Sequence, residues 1–291
     1  MLTRRDFGRL AAATFATGAF TPSGLKAQPQ NIGKGSQFSV MMWTLRDRGS
    51  FEENLERVAK AGYHHVELVT EYKKWSEEDT RRILARMQAL GISVDAMAGM
   101  TTGFADPSGG DAFFSELKGL IPVAQRLQSG QIILLSGKRM EGMSSQDQHA
   151  ASIAALKRAA ELLRAAGIVG VIEPIDRLEN PSIYLDGVNE AFDIVRAVGS
   201  PNIKVLYDLY HEQRESGNLI EKLDKNIDEV GLIHIADVPG RHEPGTGEVN
   251  YGNIYRKLSQ LNYKGVIAME FYPTGDVVET LRRAREEASV S

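Results

Sequence analysis

Short apolar runs recur along this chain, each separated from the next by a segment of helical length. That alternation limits what the chain can fold into more than any other feature. The runs fall at 38–43, 66–69, 92–97, 132–135, 169–175, 203–207, 232–235 and 266–271. The segments at 51–61, 76–90, 112–127, 146–166, 188–198, 219–226, 251–261 and 276–288 have helical spacing. Several of them carry their own boundaries. Ser50 with Glu53 makes a capping box ahead of 51–61, acidic residues 77–79 load the first turn of 76–90, and Gly62, Gly91, Gly167 and Gly199 stand where helices should stop. Residues 101–110 read as loop, and Pro122 predicts a bend within 112–127. Strands that are apolar throughout and separated by helices imply a parallel sheet covered on both faces. Eight βα units of about 30 residues each match a (β/α)8 TIM barrel. The competing arrangement is a doubly wound open sheet. No Gly-x-Gly-x-x-Gly follows the first strand, so a dinucleotide-binding version of it has no support.

Composition narrows the chemistry. The chain has 291 residues, 42% apolar and 25% charged, an ordinary globular balance for one large domain. Its net charge of −4 offers no basic footprint for nucleic acid. There is no cysteine, so disulfides and thiolate metal sites are excluded, and any cation must be held by Asp, Glu, His or amide oxygens. At the N-terminus, Thr3-Arg4-Arg5-Asp6-Phe7 precedes a mild apolar run at 10–20 that is too short to span a bilayer comfortably. Residues 1–27 therefore read as a twin-arginine export signal, residues 28–36 as a linker and 37–291 as the barrel. The expected location is periplasmic or exported, with no membrane segment after processing. Loss of residues 1–27 removes four cations and one acid, taking the net charge from −4 to −7.

The polar residues that matter sit where strands end. In such a barrel the C-terminal strand ends share one mouth. Strand 5 ends at Glu173-Pro-Ile-Asp176, strand 6 at Asp208-Leu-Tyr-His211, strand 7 carries His234, and strand 8 ends at Glu270-Phe-Tyr-Pro. The steps of 35, 26 and 36 residues put an acid or a histidine at one level on four successive strands. An ionised carboxylate in an apolar strand is costly unless paired or metal-bound. Two Glu, one Asp and one His can give Mn2+, Mg2+ or Co2+ an oxygen-rich shell. After strand 7 the chain becomes a polar loop punctuated by Pro239, Gly240, Pro244, Gly245 and Gly247. A loop of this kind after a buried strand is where a site belongs. In that loop, the fork of Arg241 suits a substrate carboxylate; the alternative is a rim ion pair with Glu243 or Glu248. Glu67, ending strand 2, is placed at the mouth as a substrate contact, with a buried pair to His65 as the alternative. Trp43 is a candidate pocket wall.

Glu173-Pro-Ile, Asp208-Leu-Tyr-His211, Ala236-Asp-Val-Pro-Gly-Arg-His-Glu-Pro-Gly-Thr-Gly-Glu-Val-Asn-Tyr251 and Glu270-Phe resemble the hydroxypyruvate isomerase family of xylose isomerase-like barrels. The resemblance spans residues 38 to 288, and the long loop is its most specific part. It implies a divalent metal held by Glu173, Asp208, His234 and Glu270, proton transfer by Glu173 and Glu270, and substrate contacts from His211 and Arg241. Members of that family carry Gln where this chain has His234, and His there is more like the sugar epimerases, so the substrate stays open. The export signal is a second departure.

A cation gripping a carbonyl and the neighbouring hydroxyl acidifies the C–H between them and favours an enediolate. A proton returned to the adjacent carbon makes an isomerase of hydroxypyruvate and tartronate semialdehyde. Returned to the opposite face of the same carbon, it makes a ketose 3-epimerase. A non-enzymatic sugar- or acid-binding barrel is the third reading, although it needs no pair of proton carriers. The expected partner is a small keto acid or sugar, with self-association undecided.

Overall fold

Eight parallel strands close on themselves in sequence order. They are β1 (Gln37–Met41), β2 (His65–Leu68), β3 (Ser93–Met97), β4 (Gln131–Leu135), β5 (Val169–Glu173), β6 (Ile203–Asp208), β7 (Val230–Ile235) and β8 (Val266–Met269). This computed structural model describes residues 37–107 and 110–290. The leader expected at 1–27 and the linker at 28–36 lie outside the described residues. Closure of β8 onto β1 settles the choice against an open sheet.

The helices are α1 (Phe51–Lys60), α2 (Glu77–Leu90), α3 (Gly110–Arg126), α4 (Ser145–Ala166), α5 (Val188–Val198), α6 (Leu209–Glu215), α7 (Leu219–Asn226), α8 (Tyr251–Gln260) and α9 (Val277–Val290). The expected signals act as written. Ser50 accepts from the Glu53 N–H while Glu53 reaches back to the Ser50 N–H, and Gly91, Gly167 and Gly199 close their helices in the left-handed conformation. Two layers of apolar packing result. Met41, Ala96, Ile133, Val171, Leu206 and Leu232 fill the inside of the barrel, and a larger layer lies between strands and helices.

The differences from the expected spans fall at the mouth. β1 stops at Met41 rather than 43, and residues Met42–Arg48 wind into a 3₁₀ turn, with the Thr44 hydroxyl donating to the Met41 carbonyl at 2.7 Å. β5 stops at Glu173 rather than 175, since Pro174 has no N–H to continue the ladder. β8 likewise stops at Met269 rather than 271. Residues 209–215, which lie outside the expected helices, form α6, capped by Asp208 Oδ1 accepting from the N–H groups of Tyr210 and His211 at 2.7 and 3.3 Å. β5 and β6 end on Glu173 and Asp208, and β8 ends one residue before Glu270. Among the described residues no helix is long and apolar enough to cross a membrane.

Candidate active site

Register brings the strand-end residues level. Asp208 is paired with His234, and His234 with Ala268, two residues before Glu270. The Glu270 N–H donates to the Ile235 carbonyl at 3.0 Å, holding Glu270 to β7 just past the end of β8. Glu173, Asp208, His234 and Glu270 each offer one ligand atom, and these atoms all lie within 4.8 Å of one another. All four side chains are buried. Three hard oxygens and one imidazole nitrogen, converging in a dry pocket, form a donor set that fits a divalent cation.

The charges around this centre set each group's proton affinity. Burial, and then the facing Glu270 carboxylate, push the Glu173 carboxyl up to about 7, against the pull of His234 and His211. Burial acts in the same direction on Glu270. There Arg241 at 2.8 Å and His234 Nδ1 at 2.7 Å overcome it and hold the carboxyl far below the usual range. Burial alone would lower His234, but Glu67 and Glu270 on its two sides raise it well above an ordinary imidazole. The two glutamates therefore differ in proton affinity although they share one pocket.

A second group adjoins the first. Asp176 Oδ1 accepts from the N–H groups of Leu178 and Glu179 at 2.9 and 3.1 Å, turning the chain after β5. Its Oδ2 lies 2.7 Å from His211 Nδ1 and 3.2 Å from Arg214, which leaves His211 Nε2 facing Asp208 at 3.4 Å. Burial lowers His211, but Asp208 and Asp176 outweigh it and bring it to about 9. Arg241 spans both groups. Its Nη1 holds the Glu179 carboxylate with both oxygens, at 2.9 and 3.0 Å, and its Nη2 reaches Glu270 and Asp208. The guanidinium lies 5.4 Å from the Trp43 ring centre and 4.9 Å from that of Tyr210. Trp43 also donates from Nε1 to Glu270 Oε1 at 3.0 Å.

The loop after β7 is held by one buried carboxylate. Asp237 Oδ1 accepts from the N–H groups of Val238 and Val249 at 2.9 and 3.0 Å, and Oδ2 from those of Gly245 and Gly247, both at 2.9 Å. A Cβ on Gly247 would come within 2.0 Å of the Val238 carbonyl oxygen, so this close return of the chain requires glycine. The same knot fixes Arg241 with φ 57, a left-handed backbone that few non-glycine residues adopt. The Arg241 carbonyl in turn accepts from the Tyr272 N–H at 2.8 Å, tying the loop to the segment after β8.

Most of the residues singled out in the sequence therefore meet at one place: Glu173, Asp208, His211, His234, Arg241 and Glu270. Arg241 does not make the rim pair with Glu243 or Glu248. Glu243 is occupied by Thr274, and Glu248 accepts from Gln213. Glu67, expected at the mouth as a substrate contact, is fully buried on the far side of His234, with Oε2 2.8 Å from Nε2. It does not pair with His65, whose ring instead meets Ser93 at 2.9 Å. Glu67 points across the interior to β7, while His65, at the opposite end of β2 from the mouth, is only partly buried. Asp176, Glu179, Tyr210 and Asp237 were given no role from sequence. Glu179 had one readable signal, lying six residues past Glu173 in the same post-strand loop.

Comparison with known proteins places the fold in a family. The family model described as "Xylose isomerase-like TIM barrel" matches residues 55–289. The chain is 31% identical to hydroxypyruvate isomerase of Escherichia coli over 242 residues, covering 81% of this chain and 93% of that protein. It is 26% identical to 2-oxo-tetronate isomerase of Haemophilus influenzae, covering 84% of this chain and 96% of the relative. Among crystal structures, one described as an AP endonuclease, family 2, from Brucella melitensis superposes with a TM-score of 0.77 at 26% identity, covering 84% of this chain and 96% of that one.

The Asp237 knot generates a prediction. Asp237→Ala leaves four backbone N–H groups without their acceptor, each such loss costing about 1–3 kcal/mol where water cannot replace it. Limited proteolysis should then cut within residues 238–249 while the far-ultraviolet circular dichroism of the barrel is kept. An uncut loop would show that the knot is not what orders it.

Proposed function

The chain belongs to the xylose isomerase-like TIM barrel family, and from that premise and the geometry of its mouth we propose that it is a metal-dependent isomerase of small keto acids, interconverting hydroxypyruvate and tartronate semialdehyde. The observation that carries the reading is the convergence of Glu173, Asp208, His234 and Glu270 at the strand ends with Arg241 beside them. The isomerase names of its relatives support the class of reaction. The donor set favours Mn2+, Mg2+ or Co2+. When bound, such an ion supplies Lewis acidity to a carbonyl and the neighbouring hydroxyl.

The chain's own groups supply the rest. Glu173 and Glu270 stand three strands apart around the barrel and flank the space between them. Burial keeps a proton on Glu173 more readily than on Glu270, which Arg241 and His234 hold ionised. Their surroundings thus set the two proton affinities apart, which suits a pair that divides the roles of acid and base. Arg241, flanked by Trp43 and Tyr210, would meet a substrate carboxylate by exchanging the half-exposed Glu179 for it, since Glu179, Asp208 and Glu270 engage its donors here. His211, held by Asp176 on one nitrogen, turns the other toward the site. A net charge of −4, and −7 once residues 1–27 are gone, disfavours a nuclease on electrostatic grounds.

Chelation should abolish activity, and Mn2+, Mg2+ or Co2+ should restore it. Glu173→Gln and Glu270→Gln keep a ligand oxygen but carry no proton, so each should lose about 10²–10⁴-fold in kcat with metal retained. Solvent deuterium should enter the substrate carbon during turnover of the native enzyme. Near-native rates in both Gln variants would remove the proton-transfer assignment. Failure of both variants with no deuterium uptake would point instead to a hydride shift.

Arg241→Lys keeps the charge and loses the fork. It should raise KM for the keto acid by the equivalent of about 1.5–3 kcal/mol, and unchanged kinetics would assign Arg241 to structure alone. A panel comparing hydroxypyruvate with neutral ketoses decides between isomerase and 3-epimerase, because only the acid needs Arg241.

The Thr3-Arg4-Arg5-Asp6-Phe7 leader adds that the enzyme acts outside the cytoplasm. Replacing Arg4 and Arg5 together by Lys should trap the full-length chain inside cells. Export unaffected by that change would remove the twin-arginine assignment.

A further inference from the structure

The inside of the barrel below the mouth is apolar except along one side. There β2 contributes Glu67 and β3 contributes Asp95. The β2–β3 register jumps between Val66 and Glu67, which pair with Val94 and Ala96, so Asp95 is the extra residue of a bulge. The bulge turns Asp95 inward, where Oδ1 accepts from the Ser39 hydroxyl at 2.6 Å. Glu67 has no such neighbour. Both its oxygens lack an aligned hydrogen-bond donor, and the closest polar contact is His234 Nε2, 2.8 Å from Oε2. His234 Nε2 is in turn without any other partner. The opposite ring nitrogen, Nδ1, is hydrogen-bonded to Glu270 Oε2 at 2.7 Å, and a cation held between the two would take the place of that proton.

We propose that Glu67 is a positioning residue for His234: its carboxylate accepts from Nε2–H and so presents an unprotonated Nδ1 to the cation that Glu173, Asp208 and Glu270 share. The inference rests on the metal reading given above. An imidazole binds metal through the nitrogen that carries no proton, so the other nitrogen must carry it. Here that other nitrogen stands against Glu67. At 2.8 Å the two atoms are within hydrogen-bond distance, and the ring would have to turn about its Cβ–Cγ bond for the N–H to point at Oε2. The same carboxylate stops the ring from flipping, since a flip would set the remaining ring edge, with no donor, against a buried charge. A fully buried glutamate placed only for packing would be out of keeping with its neighbours Val66 and Leu68 and with the apolar barrel lining. As the acceptor behind a metal-binding histidine, it has a reason to be there.

The test is Mn2+ affinity, read from the free-ion electron paramagnetic resonance signal, with no need for turnover. Glu67→Leu should raise the Mn2+ Kd about 10–100-fold, the usual effect of removing a carboxylate behind a metal-ligating histidine. Glu67→Gln, which keeps an acceptor oxygen, should recover part of that loss. Asp95→Asn changes the neighbouring buried acid, which makes no contact with His234 and is held by Ser39 instead, and should leave Kd near the native value. In Mg2+-loaded native protein the 15N signals of the His234 ring should show Nε2 protonated and Nδ1 not. This last measurement decides the matter even if the Leu variant does not fold. A protonated Nδ1 overturns the proposal. So does a Glu67→Leu Kd equal to the native one while Asp208→Asn weakens binding; that pattern leaves the metal reading standing. A native protein that takes up no Mn2+ overturns both.

Discussion

Three carboxylates buried at one mouth are the constraint on which the upper half of this barrel depends. Glu173, Asp208 and Glu270 converge there, and each would destabilise the fold if left alone at low dielectric. Every element above the strand ends brings a compensating group to them. β7 brings His234, the short helix α6 brings His211, and the loop after β7 brings Arg241. The lower half of the barrel is packed mainly with apolar residues such as Met41, Ile133, Val171 and Leu206, with Glu67 and Asp95 buried along one side. This division explains why strands end early where they do: the ladder gives way to turns that can aim a charged side chain inward.

The rigidity of these turns serves the same end. Asp237 collects four backbone N–H groups, and the loop it closes holds Arg241 in a left-handed backbone between two aromatic rings. Lysine would meet the charge requirement equally well, but its single ammonium point lacks the planar fork that engages Glu179 through two oxygens while reaching Glu270 and Asp208. The strain of a left-handed arginine is tolerated because the surrounding hydrogen bonds leave it no alternative.

The barrel was legible because its signals are local. Apolar runs, capping boxes and stop glycines each act within a few residues, and their period survives along the whole chain. The four proposed ligands were legible for a related reason: a charge inside an apolar strand is conspicuous, and strand ends share one level in a barrel. The rest depends on reach rather than position. Glu67 looks like a mouth residue from its place at the end of β2, yet its side chain crosses the interior to His234. Asp176 and Glu179 lie in a turn whose course is set by the N–H groups it folds back upon, and nothing in their spacing states that His211 and Arg241 lie opposite. Asp237 sits among so many loop-forming residues that its buried, four-acceptor role is invisible until the chain has closed around it. The helix at 209–215 escaped notice because it is nucleated by Asp208, a residue that also reads as a ligand.

The charge balance of the mouth also connects the cation to the class of substrate. Asp176 and Glu179 add two carboxylates to Glu173, Asp208 and Glu270, against Arg241, Arg214 and two imidazoles. The carboxylates outnumber the cationic groups even with both imidazoles charged, and an imidazole that ligates metal through a free nitrogen carries no charge. The mouth therefore carries no surplus of positive charge to draw in an anionic keto acid; a divalent cation would supply one, whereas a neutral ketose makes no such demand. Arg241 alone cannot reverse the balance, since Glu179, Asp208 and Glu270 already engage its donors. If the substrate is an acid, a cation held by Glu173, Asp208, His234 and Glu270 would have two tasks that can be told apart physically: it would supply Lewis acidity to the carbonyl, and it would make the pocket hospitable to a negative charge.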